Sequence, residues 1–302
     1  MPSLAKLYLH AAATAARTRV LGSVPTVALP PRATQVHGVL ADVAKLTQYQ
    51  HLLGKPARDI MPSGYLHALA FPVAMSVMVR EDFPLPLLGM IHLRNQVDHL
   101  AAVQFSQPLS IRSWARNLAG HRAGTTVELV VEIRPDGATE VLWRGVSTYL
   151  AKGIYLPGLD KPVAGGGVPD EGGQGREDFL APDPTGIWQL GVDAGRAYAA
   201  VSGDFNPIHL SVFSAKALGM RRSIAHGMYL SSRVLGDVGS AKPETFSWDI
   251  SFAAPVFLPA QVAVRIADAT DADGAWTASS FVGWNRRTGR KHFSGTVSAL
   301  RG

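Results

Sequence analysis

The second half of this chain repeats the plan of the first, and that duplication limits the fold more than any other feature. The first half closes on LWRGVSTYLAKG (residues 142–153) and the second on HFSGTVSALRG (residues 292–302). Gly145 falls opposite Gly295, and Leu150 opposite Leu300, at one constant spacing. Each ending follows a turn between two strand-like runs, EIRPDGAT (132–139) and GWNRRTGR (283–290). Further back, VQFSQPLSI (103–111) matches PVFLPAQVAV (255–264), with Pro108 opposite Pro259. Asp136-Gly137 and Thr288-Gly289, set between alternating runs, predict antiparallel hairpins. Two copies are too few for a solenoid, so the chain reads as a paired domain.

In each half one apolar helix precedes a run of strands. In residues 224–239, Met228, Leu230, Val234, Leu235 and Val238 cover most of the helix circumference, as expected of a helix wrapped by a sheet. The first half offers GYLHALAFPVAMSVMV (64–79), where Pro72 is expected to kink or break the helix. Four strand-like runs follow each helix, an α+β pattern. Residues 156–186, rich in Gly and Pro and without periodicity, read as a linker. The expected division is therefore an N-terminal domain (1–155), the linker (156–186) and a C-terminal domain (187–302). Gly165, Gly166 and Gly167 fall in that linker and not between a strand and a helix, so they make no phosphate loop.

Composition sets outer bounds. A chain of 302 residues with 47% hydrophobic and 17% charged content suits a well-buried two-domain globule. Cysteine is absent, which removes disulfides, thiolate ligands and cysteine nucleophiles and fits a cytoplasmic location. A net charge of +6 favours anionic partners. No apolar run approaches the ~18–20 residues of a membrane span, and no basic-aromatic surface argues for nucleic acid. The first residues hold Lys6, Arg17 and Arg19 and no acid, a transit-peptide-like composition. Leu4, Leu7, Tyr8 and Ala11 nevertheless recur at helical spacing, so an amphipathic helix is expected instead.

The chemistry concentrates in VSGDFNPIHLSVFSAKALG (201–219). Asn206 is a strong N-cap, Pro207 a favoured first helical residue and Gly219 a C-terminal cap, so residues 206–219 read as one short helix. Asp204 lies in the turn before it and His209 in its first turn. The positive end of a helix disfavours imidazolium and favours carboxylate. An ionised acid and a neutral base on one turn can share a water molecule, as general acid–base chemistry requires. The alternative is a helix cap whose histidine merely sits on the surface. The histidines show no H-x₃-H or carboxylate cluster of metal type.

Ser202-Gly203-Asp204 followed by Asn206-Pro207-Ile208-His209, with Ala215 at the small position beyond, closely resembles the hydratase motif of the MaoC-like enoyl-thioester hydratases. These are hot-dog proteins. RSIAHGMYLSS (222–232) is similar to that family's entry into the central helix, and FPLPLLGMIHLRNQV (83–97) to two-repeat members. The resemblance implies a double hot-dog fold: two antiparallel sheets, each wrapping a helix, joined edge to edge in one chain. It implies (R)-specific hydration of trans-2-enoyl thioesters, or the reverse dehydration, in fatty acid metabolism. Asp204 and His209 would be the catalytic dyad, and Gly227 would give its N–H to the thioester oxygen. Ser202, Gly203, Asn206, His226 and Met228 would shape the substrate site. No metal or redox cofactor is implied; coenzyme A or an acyl-carrier phosphopantetheine arrives with the substrate. The chain is expected as a monomeric pseudo-dimer or a homodimer.

Some members carry a serine about two helical turns beyond the glycine, near the dyad. Here that region reads Arg233, Val234, Leu235, while Ser231 and Ser232 come earlier. The first half has no equivalent motif. His67 there is matched to His226 and read as non-catalytic. A helix broken at Pro72 would leave an apolar space, lined by FPVAMSVM, for the acyl chain. Arg221 and Arg222, and the hairpin cations Arg286, Arg287, Arg290 and Lys291, are candidates for phosphates or an acidic carrier protein. Two rival functions on the same fold are a non-catalytic acyl-thioester-binding protein and a thioesterase.

Overall fold

The computed structural model describes residues 1–4, 6–11, 27–159, 179–238 and 242–300. Most of the expected linker, Gly165–Gly167 included, and Arg17 and Arg19 lie outside the described residues. Leu4 and residues 6–11 are helical, as the spacing predicted. Leu4, Leu7 and Tyr8 pack against the core and Ala11 is buried.

The first half follows with β1 (Thr34–Val39), α1 (Val43–Leu52), α2 (Ser63–Met78), β2 (Met90–His99), β3 (Leu109–His121), β4 (Gly124–Pro135) and β5 (Trp143–Lys152). The second half holds β6 (Gly186–Leu190), α3 (Ala194–Ser202), α4 (Pro207–Leu210), α5 (Val212–Ala217) and α6 (Gly227–Asp237). It ends with β7 (Phe246–Phe252), β8 (Ala260–Thr270), β9 (Trp276–Asn285) and β10 (Lys291–Ala299). Both predicted hairpin turns are present, with Gly137 and Gly289 at positive φ.

The described strands join one ten-stranded antiparallel sheet in the order β1-β3-β4-β5-β2-β7-β10-β9-β8-β6. The two halves meet edge to edge at β2 and β7, in a register running from Arg94↔Ser251 to His99↔Phe246. An ion pair across this seam joins Arg94 to Asp249 at 2.6 Å. One apolar cluster runs through both halves, from Met75 and Val97 to Leu230, Val234 and Ile250. The duplication is visible at Gly145 and Gly295, on the corresponding strands β5 and β10. A Cβ on Gly145 would overlap the Trp143 ring, and one on Gly295 would overlap the Asp249 carbonyl and the Phe281 ring.

Two expectations are corrected. Pro72 does not break its helix: α2 is continuous, and Val73, Met75, Val77 and Met78 are buried core residues. The broken helix on which the acyl-chain space depended does not form. Burial of nearly the whole helix surface outweighs the local loss of one backbone hydrogen bond at proline. His67 is also not the counterpart of His226. His226 is the N-cap of α6 and immediately precedes Gly227, whereas Ser63 precedes Gly64 at the start of α2, one turn before His67.

Ser63 is a structural keystone of the seam. The buried indoles of Trp143 on β5 and Trp248 on β7 both donate to its Oγ, each at 2.9 Å. Ser63→Ala leaves two buried N–H groups without that acceptor, at about 1–3 kcal/mol per group. Urea unfolding is expected to show a midpoint lowered accordingly; an unchanged midpoint would contradict this assignment.

Candidate active site

The site is built on one tight turn. α3 ends at Gly203, which adopts a left-handed conformation (φ 76°) that a side chain would strain. The Ser202 hydroxyl donates to the Tyr198 carbonyl (2.8 Å) and accepts from the Asp204 N–H (3.2 Å). Asn206 caps α4 by accepting from the Ile208 N–H (3.3 Å), with Pro207 first in the helix. Ser202, Gly203 and Asn206 thus shape the turn. From below, α3 presses its backbone on this segment: a Cβ on Gly195 would overlap the His209 carbonyl.

The single helix expected over residues 206–219 is two. α4 stops at Leu210, Ser211 is extended, and its side chain caps α5 by accepting from the Ser214 N–H (3.1 Å). Gly219 closes α5 in the left-handed region as predicted. One turn of α4 carries little dipole, so the electrostatics of His209 must be sought elsewhere.

His209 and His226 stack face to face with ring centroids 3.6 Å apart. His209 Nδ1 lies 2.8 Å from the Ile224 carbonyl and donates to it, so Nε2 holds the lone pair. His226 Nε2 donates to the Asp204 backbone carbonyl (3.0 Å) and lies 3.7 Å from its Oδ2. His226 Nδ1 is buried without a partner. Asp204 Oδ1 accepts from the Tyr8 hydroxyl at 2.6 Å and from the Asn206 N–H at 3.2 Å. Asp204, His209 and His226 each bring a ligand-type atom within 4.8 Å of the others. The linear spacing showed no such cluster, because folding supplies His226 from a different element.

Burial governs the charge states. It pushes His226 down to about 3, helped by neighbouring His209. It also lowers His209, against the pull of Asp204. The neutral His209 expected from a helix end is therefore reached by desolvation. Burial raises the Asp204 carboxyl, but the two imidazoles, the Tyr8 hydroxyl and the Asn206 N–H outweigh it. Its pKa falls below the ordinary carboxylate value. Burial and then Asp204 drive the Tyr8 hydroxyl far upward, so it remains a donor.

The first half supplies an opposing wall that the sequence did not disclose. His92 of β2 stacks on Tyr149 of β5 at 4.6 Å and lies 5.3 Å from Phe252. His67 of α2 stacks on His92 at 6.2 Å. Burial holds His67 at about 4 and His92 at about 3, the latter also through His67; the field of Asp204 reaches both. The Phe252 ring in turn lies over Gly227, where a Cβ would come within 2.8 Å of it. Gly227 opens α6, and its N–H is one of those a first helical turn leaves unpaired within the helix.

The matching place in the first half, at Gly64, holds two hydroxyls beside a cavity lined by Tyr49, Ser63, Gly64 and Ser232. The hydroxyls of Tyr49 and Ser232, bonded to each other at 2.5 Å, occupy the space a Cβ on Gly64 would take. The chain there passes from α1 to α2 with no counterpart of α4 and α5. Met228 is buried in the first turn of α6, and the Ser231 hydroxyl lies against its sulfur at 4.0 Å. Arg221 and Arg222 stay exposed at the surface, Arg221 over the Phe257 ring at 4.9 Å. The structure does not bring either arginine to the dyad.

The sequence and fold have known counterparts. A family model described as MaoC like domain matches residues 189–282. The chain is 32% identical to 3-hydroxyacyl-thioester dehydratase X of Mycobacterium tuberculosis over 301 residues, 99% of each chain. The crystal structure of that protein, HtdX, matches with a TM-score of 0.73 at 28% identity, covering 89% of this chain and 100% of that one. The (R)-specific enoyl-CoA hydratase of Aeromonas caviae is 38% identical over 74 residues, 23% of this chain and 55% of its own length. Another Mycobacterium tuberculosis protein, described as a double hot-dog fold, matches with a TM-score of 0.51 at 13% identity, over 92% of this chain and 96% of its own. That last likeness bears on the fold alone.

Proposed function

The chain belongs to the MaoC-like hydratase and dehydratase family and is a hydratase/dehydratase of 3-hydroxyacyl thioesters; on that premise we propose that Asp204 and His209 activate one water for (R)-specific chemistry. The observation that carries this reading is the pairing of a half-buried carboxylate, with Oδ1 held, and a neutral imidazole whose Nε2 lone pair is unspent. Asp204 Oδ2 orients the water and His209 Nε2 takes its proton. The hydroxyl bonds to Cβ of a trans-2-enoyl thioester, and a proton returns to Cα. The product is the (R)-3-hydroxyacyl thioester, and dehydration is the reverse. Charge gathering on the thioester oxygen meets the Gly227 N–H at the start of α6, where a helix end favours an anion.

This reading gives the cluster of Asp204, His209 and His226 to water and not to a metal. Two of its imidazole nitrogens are already donors, to the Asp204 and Ile224 carbonyls. The coenzyme A or phosphopantetheine arm then enters as part of the substrate. Arg221 and Arg222, exposed at the surface, would meet its phosphates or an acidic carrier.

Purified protein is expected to remove the conjugated enoyl absorbance of crotonyl- or decenoyl-CoA at the same rate before and after treatment with a strong chelator. Loss of activity restored only by a divalent cation would contradict the water-only reading. Release of free thiol without hydration would favour thioester hydrolysis.

A further inference from the structure

We propose that Tyr8, from the N-terminal helix, is the positioning residue for Asp204, so that a segment 196 positions away in sequence completes the active site. This rests on the dyad reading above and deepens it. The two oxygens of Asp204 have different surroundings. Oδ1 accepts from the Tyr8 hydroxyl (2.6 Å) and the Asn206 N–H (3.2 Å). Among the described residues, Oδ2 has only His226 Nε2 at 3.7 Å, beyond hydrogen-bond distance. The carboxylate is therefore held by one oxygen and free to meet a water with the other.

The two serines that follow the α6 glycine bond elsewhere. Ser231 donates to the Gly227 carbonyl (3.0 Å), and Ser232 to the Met228 carbonyl (2.6 Å) while pairing with Tyr49. Tyr8 takes their place from outside the hot-dog core. Its helix is seated by apolar contact: a Cβ on Gly203 would come within 3.2 Å of Leu4 Cδ1, so Leu4 rests on the turn that presents Asp204. The phenol stays protonated in this setting and always donates. A hydrogen bond to an ionised group is the stronger kind, and it fixes direction as well as charge.

Tyr8→Phe keeps the ring and its packing and removes only the hydroxyl. On decenoyl-CoA, kcat is expected to fall about ten- to hundredfold, with KM changed by less than about threefold. The carboxylate loses a donor, so the acid limb of kcat/KM is expected to move to higher pH. Besides Tyr8, the described groups whose charge or hydrogen bonds act on Asp204 are the Asn206 N–H, His209 of α4, His226 at the start of α6, Tyr198 of α3, Tyr149 of β5, His67 of α2 and His92 of β2. None of these is altered by the substitution. Asp204→Asn and the double variant Y8F/D204N are measured alongside. If Tyr8 acts through Asp204, the double variant is no slower than Asp204→Asn alone. An inactive Asp204→Asn with Tyr8→Phe like wild type in kcat and pH profile overturns the proposal and leaves the dyad standing. A fully active Asp204→Asn overturns the dyad itself, and Tyr8's role with it.

Discussion

His209→Ala is expected to lower kcat for hydration of an enoyl thioester by about a hundred- to ten-thousandfold, the range that one general base contributes. The fold should survive. Alanine removes the stack on His226 and the bond to the Ile224 carbonyl, but the turn stays fixed by Gly203, Ser202 and Asn206, and the backbone by contact with Gly195. KM should move little if, as proposed, the imidazole acts on water and not on the acyl arm. The pH profile supplies the second half of this expectation. On the proposed mechanism the active form needs neutral His209, whose pKa burial has lowered. Wild-type kcat/KM should therefore stay level through the ordinary histidine range near 6.5 and fall only at lower pH. A break in the wild-type profile at the ordinary value, or an alanine variant of undiminished rate, would remove His209 from the chemistry.

Stability is expected to collapse in mild acid, and the same buried histidines are the cause. His67 and His99 titrate in the folded chain at about 4, and His92 and His226 at about 3; burial is the leading cause for each. In the unfolded chain all four return to about 6.5. A base whose folded pKa is depressed binds fewer protons folded than unfolded, so stability rises with pH across the gap. The contribution is intact above the unfolded value and is lost as pH falls from about 6.5 toward the folded values. Each unit of depression corresponds to about 1.4 kcal/mol, against a total stability of about 5–15 kcal/mol for a domain. The urea midpoint should thus drop steeply between pH 7 and 5, with cooperative unfolding near pH 4–5. Substituting an exposed histidine such as His51 should leave this transition in place. A flat midpoint down to pH 4.5 would show that the buried histidines carry their charge in the folded state.

Much of this architecture was legible because it is periodic. The two central helices and β2–β5 and β7–β10 each carry a long apolar or alternating pattern that the sheet then buries. The elements that went unread lack such a pattern. β1 and β6 are short edge strands, TQVHGV and GIWQL, with one face open to solvent. α3 is AGRAYAAVS, whose small residues serve close packing on the dyad turn and give little apolar signal. The two-helix break at Ser211 was hidden for a related reason: serine reads as a mid-helix residue until its own capping bond is seen.

The site divides along the same line. Asp204, His209 and Asn206 were readable as candidates from the capped turn, and Gly227 from the resemblance to the MaoC-like family. Tyr8, His67, His92 and Tyr149 reach the site only through the fold. Tyr8 was expected to cover a core, which it does, but nothing in its surroundings in the sequence names Asp204 as the partner of its hydroxyl. His226 was found, yet its tautomer and its stacking on His209 depend on backbone carbonyls of residues distant from it in the chain.

The most direct test of the central claim is the configuration of the product. Wild-type protein and Asp204→Asn are incubated with trans-2-decenoyl-CoA, and the 3-hydroxyacyl product is released and resolved on a chiral column. The account predicts (R)-3-hydroxydecanoate alone from wild type and almost none from the variant. An (S) or racemic product, or undiminished (R) product from Asp204→Asn, would contradict it.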